Sequence, residues 1–588
     1  ALPTVRLQVG REALTGPRVV RVVPDVPGID KVFDYIVPDG MPDPGIGSVV
    51  RVMLNNRRVD GWVTQVGTAG EPGFDSVPSE RLAPVLSVAG LGVDPTVVDL
   101  SEWVADRWCG PRRNVLNSAT PTRRRGRPAH PAHGSATMPD DEVATTARAL
   151  LGNGGGVLMV PPLSSALSAV IAAAAGGAVL VVCPTLRMAR LGAAHLRRRG
   201  LTTAELPDEV EAAMAGRDVV IGARSVVLAP CGGLSAIVVI DEHEESLHEE
   251  RVPTWWAAEV ALERGRWEGV PVLLTSAVPS ARAEMLCGRA VAPTPTKEWP
   301  AVAIVDLNEV PVRGSLLSTE ALDAVRASQA RSLLVLNTQG TARLVACKRC
   351  RSLIVCAVCG STVTVDDGVA RCGTCRQEGA GACGSCGSTG TVNVRPGTAR
   401  IADDVARATG VVVREVTADS DDIGGSADAW VGTDALLHRV RDAGTVVFLD
   451  IDRDLSAPRS SAPREVLAAV ARAARIVGRN GRMIIQSRQP GHPLLVALSS
   501  GDVRAWLDDD VALRRRLMLP PFTEVAVLGF DEPPSPASLP LIDGIDTSVE
   551  GKEILVRSTD SPSLGVFVAL VRSTAKGRVR VAVNPPRF

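Results

Sequence analysis

The sequence predicts a multidomain α/β protein with two parallel-sheet units in tandem. Three observations predict it. Apolar strand runs alternate with helical patterns from about residue 141 to 300, the alternation restarts near 301, and eight cysteines interrupt the second block. Strands of a parallel sheet are covered on both faces, so they read as short continuous apolar runs bounded by turns. GVLMV (156–160), AVLVVC (178–183), DVVIGA (218–223), AIVVID (236–241) and PVLLTS (271–276) have that form. AVAIVDL (301–307) and RSLLVLN (331–337) open the second series, which GVVVREV, AWVGT, TVVFLDID and RMIIQS resume beyond the cysteines.

The flanks have a different character. Residues 18 to about 120 carry β-rich runs (VVRVVP, SVVRVML) and then a helical piece, VVDLSEWVADRWCG. Residues 121–140 are rich in Pro, Arg and Gly and read as a linker. After LMLPPF (517–522) an acidic, Pro-rich turn leads into a small α+β ending with the strands EILVRS and VRVAVNP. The expected units are 1–120, the linker 121–140, lobe 1 at 141–300, lobe 2 at 301–345 and 393–522, a cysteine insertion at 346–392, and a C-terminal domain at 523–588.

The formal charge is only −1, so any nucleic-acid contact must come from local patches. Aromatic residues make up 3% of the chain, which argues against broad base-stacking platforms. The uncharged stretch 149–186 is broken by Pro161, Pro162, Gly176, Gly177 and Pro184 into pieces too short to span a membrane. With no signal peptide read at the N-terminus, the expectation is a cytoplasmic protein with no membrane partner.

The eight cysteines form four CxxC pairs: Cys347/Cys350, Cys356/Cys359, Cys372/Cys375 and Cys383/Cys386. In a cytosolic chain such pairs favour a metal over a disulfide, and two pairs complete a tetrahedral zinc site. Two closed, structural zinc ions are expected. Pairing can be consecutive or nested; the hairpin-like VTVDDGVARC (363–372) between the inner pairs favours nesting. Cys109, Cys183, Cys231 and Cys287 are expected to be inert buried thiols.

This layout and its motifs resemble the primosomal protein N′ family, the PriA-type superfamily 2 helicases of replication restart. The resemblance covers nearly the whole chain. PDVPGIDKVFDYIVPDGMPDPGIGSVVRV is similar to the family's 3′-end DNA-binding module, IGARSVVLAP (221–230) to IGTRSALFLP, LTSAVPS (274–280) to GSATPS, and LMLPPF to MLPPW. AIVVIDEHEESLHEE sits where the family carries its acidic DEEH box. The resemblance implies helicase-like lobes and nested zinc sites: Cys347, Cys350, Cys383 and Cys386 on one ion, Cys356, Cys359, Cys372 and Cys375 on the other. It also implies DNA contacts at Phe33, Asp34, Tyr35 and Arg51, with Asp34 accepting a hydrogen bond from a strand's 3′-hydroxyl. Arg57, Arg58 and the linker run Arg123, Arg124, Arg125 and Arg127 are further basic candidates, each as readily a solvated surface. The family's winged-helix module has no counterpart in the short linker.

The departures concern the motor. A phosphate loop needs glycine N–H groups and a lysine, but GVLMV is followed by PPLSSALSAV. Prolines 161 and 162 remove two donors, and GNGGG (152–156) precedes the strand and reads as a flexible turn. Asp241 and Glu242 are read as a vestigial acidic box. In the stretch matching the family's QVAGRAGR, Ala473 and Ile476 stand at the arginine positions. Arg472 and Arg475 are one residue off, about 100° around a helix. The family's Asn-Arg-Arg-Gly segment reads Asn337-Thr338-Gln339-Gly340. The expectation is therefore no catalytic residue, no ATP use, and binding of forked or 3′-ended DNA within a restart primosome. The implied partners are single-stranded DNA-binding protein and replicative helicase loading proteins. The alternatives are an active ATP-dependent 3′→5′ helicase and a zinc-ribbon adaptor. Elemental analysis of the purified chain should return two zinc ions; one or none breaks the two-site arrangement.

Overall fold

The computed structural model describes residues 16–89, 92–121, 130–294, 299–310, 316–337, 345–350, 354, 356–358, 363–366, 368–372, 377–393, 398–416 and 427–587. The N-terminal unit is an antiparallel sheet of β1 (Arg18–Pro24), β2 (Phe33–Ile36), β3 (Val49–Leu54), β4 (Arg57–Thr68) and β5 (Ser87–Val88), ordered β2-β1-β4-β3-β5. Alternate residues point inward, so Val20, Val22, Val50, Val52 and Val63 form a small core with Tyr35. Two helices, Pro95–Arg107 and Arg112–Ala119, carry the chain toward lobe 1. Asp94 caps the first by accepting from the Thr96 N–H, with Pro95 in its first turn. The Trp62 indole N–H donates to Thr120 Oγ1 at 2.7 Å and ties the sheet to the end of the second.

Lobe 1 holds β6 (Gly155–Met159), β7 (Ala178–Val182), β8 (Thr203–Glu205), β9 (Val219–Gly222), β10 (Leu234–Val239) and β11 (Val272–Ser276). Lobe 2 holds β12 (Val302–Asp306), β13 (Ser332–Val335), β19 (Val413–Val416), β20 (Ala429–Gly432), β21 (Thr445–Phe448) and β22 (Arg482–Ser487), the intervening strands belonging to the cysteine segment. Every pairing in both sheets is parallel. Counted in chain order within each lobe, the strands lie first-sixth-fifth-second-fourth-third in both. The two lobes are copies of one topology.

The cysteine segment enters lobe 2 between its second and third strands. It contains β14 (Val345–Cys347) paired with β18 (Thr391–Asn393), and a three-stranded sheet of β15 (Val363–Asp366), β16 (Val369–Cys372) and β17 (Glu378–Ala380). The C-terminal unit is an antiparallel sheet, β24 (Ile545–Glu550), β25 (Glu553–Ser558), β23 (Glu524–Gly529) and β26 (Arg580–Val583), backed by the helix Ser561–Thr574. Among the described residues no helix is long and apolar enough to cross a membrane. One local expectation changes. Gly155 and Gly156 are not a turn before the first strand but its opening residues, and a Cβ at Gly155 would meet the Val272 carbonyl oxygen at 2.1 Å.

A buried ionic network joins three units. Arg107, from the first helix, bonds Glu259 of lobe 1 at 3.2 Å and Glu524 of β23 at 3.1 Å. Arg282 of lobe 1 lies 3.5 Å from both carboxylates. The Asn584 amide donates to Glu524 as well. Removing one member of such a network leaves its partners charged and dry, which costs about 3–5 kcal/mol. Glu524→Gln is therefore expected to lower the melting temperature well below that of a surface control such as Glu553→Gln, measured by calorimetry.

Candidate metal centre and interlobe cleft

The carboxyl ends of parallel strands are where α/β sheets place their ligands. In lobe 1 the segment after β10 supplies Asp241, Glu242, His243 and Glu244 there. The first two are 3% exposed, so they are not solvated turn residues. Asp241 has a φ of +49°, a left-handed conformation that Asp tolerates better than most residues. A carboxylate out of water needs a cation, and lobe 2 provides two. Both terminal nitrogens of Arg475 bond the two Asp241 oxygens at 2.6 Å. Arg472 bonds Glu244 through Nε at 3.0 Å and Nη2 at 3.3 Å. Burial opposes ionisation of Asp241, but Arg475 outweighs it and holds the carboxyl below its ordinary range. Glu244 behaves likewise: burial is overcome by Arg472 and His243.

Among the described residues, Glu242 has no such bonded cation. It accepts from the Ser280 N–H at 2.6 Å and the Ser280 hydroxyl at 2.8 Å. Burial dominates over these bonds and pushes its carboxyl up to about 7. His243 is hydrogen-bonded through Nδ1 to Ser276 Oγ at 2.7 Å, and burial lowers its pKa.

Arg472 and Arg475 lie on the helix Ala462–Val477, whose opposite face is buried in lobe 2, with Ala473 and Ile476 0% and 8% exposed. The offset by one residue does not turn these arginines away from lobe 1. It turns them onto its carboxylates. Sequence reasoning missed this pairing. Its one available signal was that Asp241 and Glu244 share the three-residue spacing of Arg472 and Arg475.

Between the lobes lies a cavity of about 1070 Å³, lined by Asp241, Glu244, Arg472, Arg475, Asn337 and Asp434 among others. The loop after β6 does not line it. Pro161 and Pro162 there are buried, and Ser165 caps the following helix by accepting from the Leu167 N–H. Asn337 donates to Asp454 Oδ2 at 3.0 Å and accepts from the Asp434 N–H at 2.8 Å; Thr338, Gln339 and Gly340 lie outside the described residues.

In the cysteine segment the first and last pairs converge. One ligand atom from each of Cys347, Cys350, Cys383 and Cys386 lies within 4.8 Å of all the others. Sulfur–sulfur distances are 3.6 Å for Cys347 and Cys386 and 3.4 Å for Cys350 and Cys383. A tetrahedral zinc with Zn–S near 2.3 Å requires edges of about 3.8 Å, so these residues fit the ion. The Arg349 N–H points at Cys347 Sγ from 3.4 Å, and Gly387, at φ +68°, returns the chain just past Cys386. Cys356 and Cys372 are 7% and 3% exposed in a small core with Val345, Ile354, Val363 and Ala370. Cys359 and Cys375 lie outside the described residues. These cysteine clusters can bind zinc. Of the scattered thiols, Cys109 and Cys183 are buried, whereas Cys231 and Cys287 are only partly so; burial pushes the pKa of all four up.

In the N-terminal sheet, Tyr35 is a core residue, 3% exposed, whose hydroxyl donates to the Met53 carbonyl at 3.2 Å. Phe33 and Asp34 are half-buried. Asp34 is already engaged: Arg21, directly opposite on β1, bonds its two oxygens at 2.8 and 3.0 Å. Arg21 also bonds Gln65 on β4 at 2.8 Å and stacks over Phe74 at 4.8 Å. Sequence reading did not single out Arg21. Arg51 pairs with Asp60 at 2.8 Å, Arg57 and Arg58 are exposed at the hairpin, and Arg123, Arg124, Arg125 and Arg127 lie outside the described residues.

Glu242 makes a pH prediction. Its folded pKa is raised from 4.5 to about 7, so across that window the folded chain keeps a proton the unfolded chain has lost, and stability falls as pH rises. Glu242→Gln escapes the loss. It should match the parent near pH 5 and exceed it by about 2 kcal/mol at pH 8 in urea unfolding, taking 1.36 kcal/mol per unit as the scale. A difference that is flat with pH would refute the assignment.

Comparison with known proteins places these features. A family model described as a 3′ DNA-binding domain matches residues 21–121. The replication restart protein PriA of Treponema pallidum is 29% identical over 337 residues, 52% of this chain and 51% of that protein. The PriA of Bacillus subtilis is 25% identical over 344 residues, 53% of this chain and 43% of that one. The chain spans about half the length of the curated relatives it matches. Among solved structures, a DEAD box protein from Methanococcus jannaschii aligns over 66% of this chain and 94% of its own at 11% identity and a TM-score of 0.30. Residues 21–121 thus resemble a 3′ DNA-binding domain, and about half of the chain is similar to PriA-type proteins.

Proposed function

We propose that this chain acts in replication restart by binding forked or 3′-ended DNA, and that it does so without hydrolysing ATP. The match of residues 21–121 to a 3′ DNA-binding domain supports the DNA role. One observation carries the rest: Asp241 and Glu244, the ionised carboxylates of the acidic box, are held bidentately by Arg475 and Arg472. A metal–nucleotide complex would have to displace both arginines, and it would meet prolines where a phosphate loop offers N–H groups and a lysine. Phe33 and Asp34 form the strand-end site in this reading. Asp34 keeps acceptor capacity beyond the bonds from Arg21, because each carboxylate oxygen has two lone pairs. Arg51 lies in the same module as a further DNA contact.

Two zinc ions belong to the proposal, one on Cys347, Cys350, Cys383 and Cys386 and one on Cys356, Cys359, Cys372 and Cys375. Zinc bound by four thiolates has no open coordination position, so both ions would be structural. The chain works in the cytoplasm, with single-stranded DNA-binding protein and helicase-loading proteins as its partners.

Fluorescence anisotropy on forks ending in a 3′-hydroxyl or a 3′-phosphate tests the end site at fixed salt. The hydroxyl fork is expected to bind about tenfold tighter, the worth of one charge-assisted hydrogen bond; equal affinities exclude the site. ATP turnover stimulated by DNA to the rate of a working helicase excludes the ATP-independent half.

A further inference from the structure

The contact between the lobes is a seam of charge pairs. Three arginines of the helix Ala462–Val477 reach lobe 1: Arg475 to Asp241, Arg472 to Glu244, and Arg464 to the carbonyl oxygen of Pro279. The helix Val503–Arg516, which follows lobe 2's last strand, adds two ion pairs, one through an arginine and one through an aspartate. Arg504 pairs with Glu284 at 2.7 Å, and Asp508 with Arg289 at 2.7 Å. The lobe 1 carboxylates are largely dry, with the side chains of Asp241, Glu244 and Glu284 4%, 11% and 3% exposed. Bidentate arginine–carboxylate pairs are directional as well as strong, so a pair that spans two bodies fixes their angle as well as their distance. Here two such pairs stand one helical turn apart on the same helix, which removes the remaining freedom to pivot about either one.

We propose that these residues form a permanent latch, which holds the two lobes in a single relative orientation without nucleotide. In a motor of this architecture, nucleotide drives the lobes between arrangements because it binds one of them better. In this chain the arginine helix and the acidic segment neutralise each other directly, so the closed arrangement carries its own bonding and has nothing to exchange. The lobes then serve as one rigid body that carries the zinc segment and the N-terminal unit at a fixed geometry. The inference does not depend on DNA binding. It is separable from the absence of ATP turnover, because lobe orientation and hydrolysis are read by different measurements.

The test is a distance measurement on the full, zinc-loaded chain. Nitroxides are attached to ketone-bearing residues placed at Met214 of lobe 1 and Val412 of lobe 2, both exposed, so that no cysteine is disturbed. Pulsed electron resonance on this otherwise unaltered chain should give one narrow distance that magnesium with a non-hydrolysable ATP analogue, or forked DNA, leaves unchanged. Arg472→Gln with Arg475→Gln should broaden it. Arg475→Asp alone should broaden it too, and adding Asp241→Arg should narrow it again. Two distances in the unsubstituted protein, a shift on adding the analogue or the fork, or a narrow distance that survives the double glutamine substitution would each overturn the latch. Should the substituted chains fail to fold, judged by zinc content and circular dichroism, the measurement on the unsubstituted lobes decides alone.

Discussion

A carboxylate removed from water must find a cation or give up its charge, and this constraint organises the centre of the molecule. Three neighbouring acids after β10 meet it in two ways. Asp241 and Glu244 stay ionised because Arg475 and Arg472 cross from the other lobe. Glu242 is bonded, among the described residues, by the neutral donors of Ser280 alone and keeps its proton up to about neutral pH. The same rule recurs at the junction of three units, where Arg107 and Arg282 face Glu259 and Glu524. Apolar packing brings these bodies together, and the buried charge pairs set the angles at which they meet.

The cysteine segment solves a different problem. It is a short insertion whose described residues hold a small core around Val345, Ile354, Val363 and Ala370. A unit of that length gains little from apolar burial against the cost of ordering the chain. A tetrahedral metal holding both ends of the segment would supply the missing cross-link, since binding energy at such a site is folding energy. Its ligands come from the segment's outer ends, where β14 and β18 also pair, so metal and sheet reinforce one closure.

Much of the architecture was legible beforehand. Fully apolar runs such as AVLVV mark strands covered on both faces, and their spacing marks the helices between them. The CxxC repeats marked the thiols, four of which the fold brings within reach of one another. The site was legible in parts. Tyr35 belongs to a sequence motif, yet it packs inward because Asp34 and Ile36 take the other face of β2. Arg21 matters through its register with Asp34 across β1 and β2, a relation invisible until the strands pair.

By itself, the sequence determined the strand runs, the tandem sheet units, the four CxxC pairs and the absence of glycine and lysine after the first strand of lobe 1. Each of these is local, because periodicity, spacing and residue type act within a few residues. Only the tertiary structure decided which thiols meet and where the displaced arginines point. Those outcomes depend on partners far apart in the chain: 39 residues separate Cys347 from Cys386, and 234 separate Arg475 from Asp241. An offset of one position reads in sequence as a lost contact. In the folded chain it becomes a new contact, because the buried acids of one lobe require the cations that the other brings.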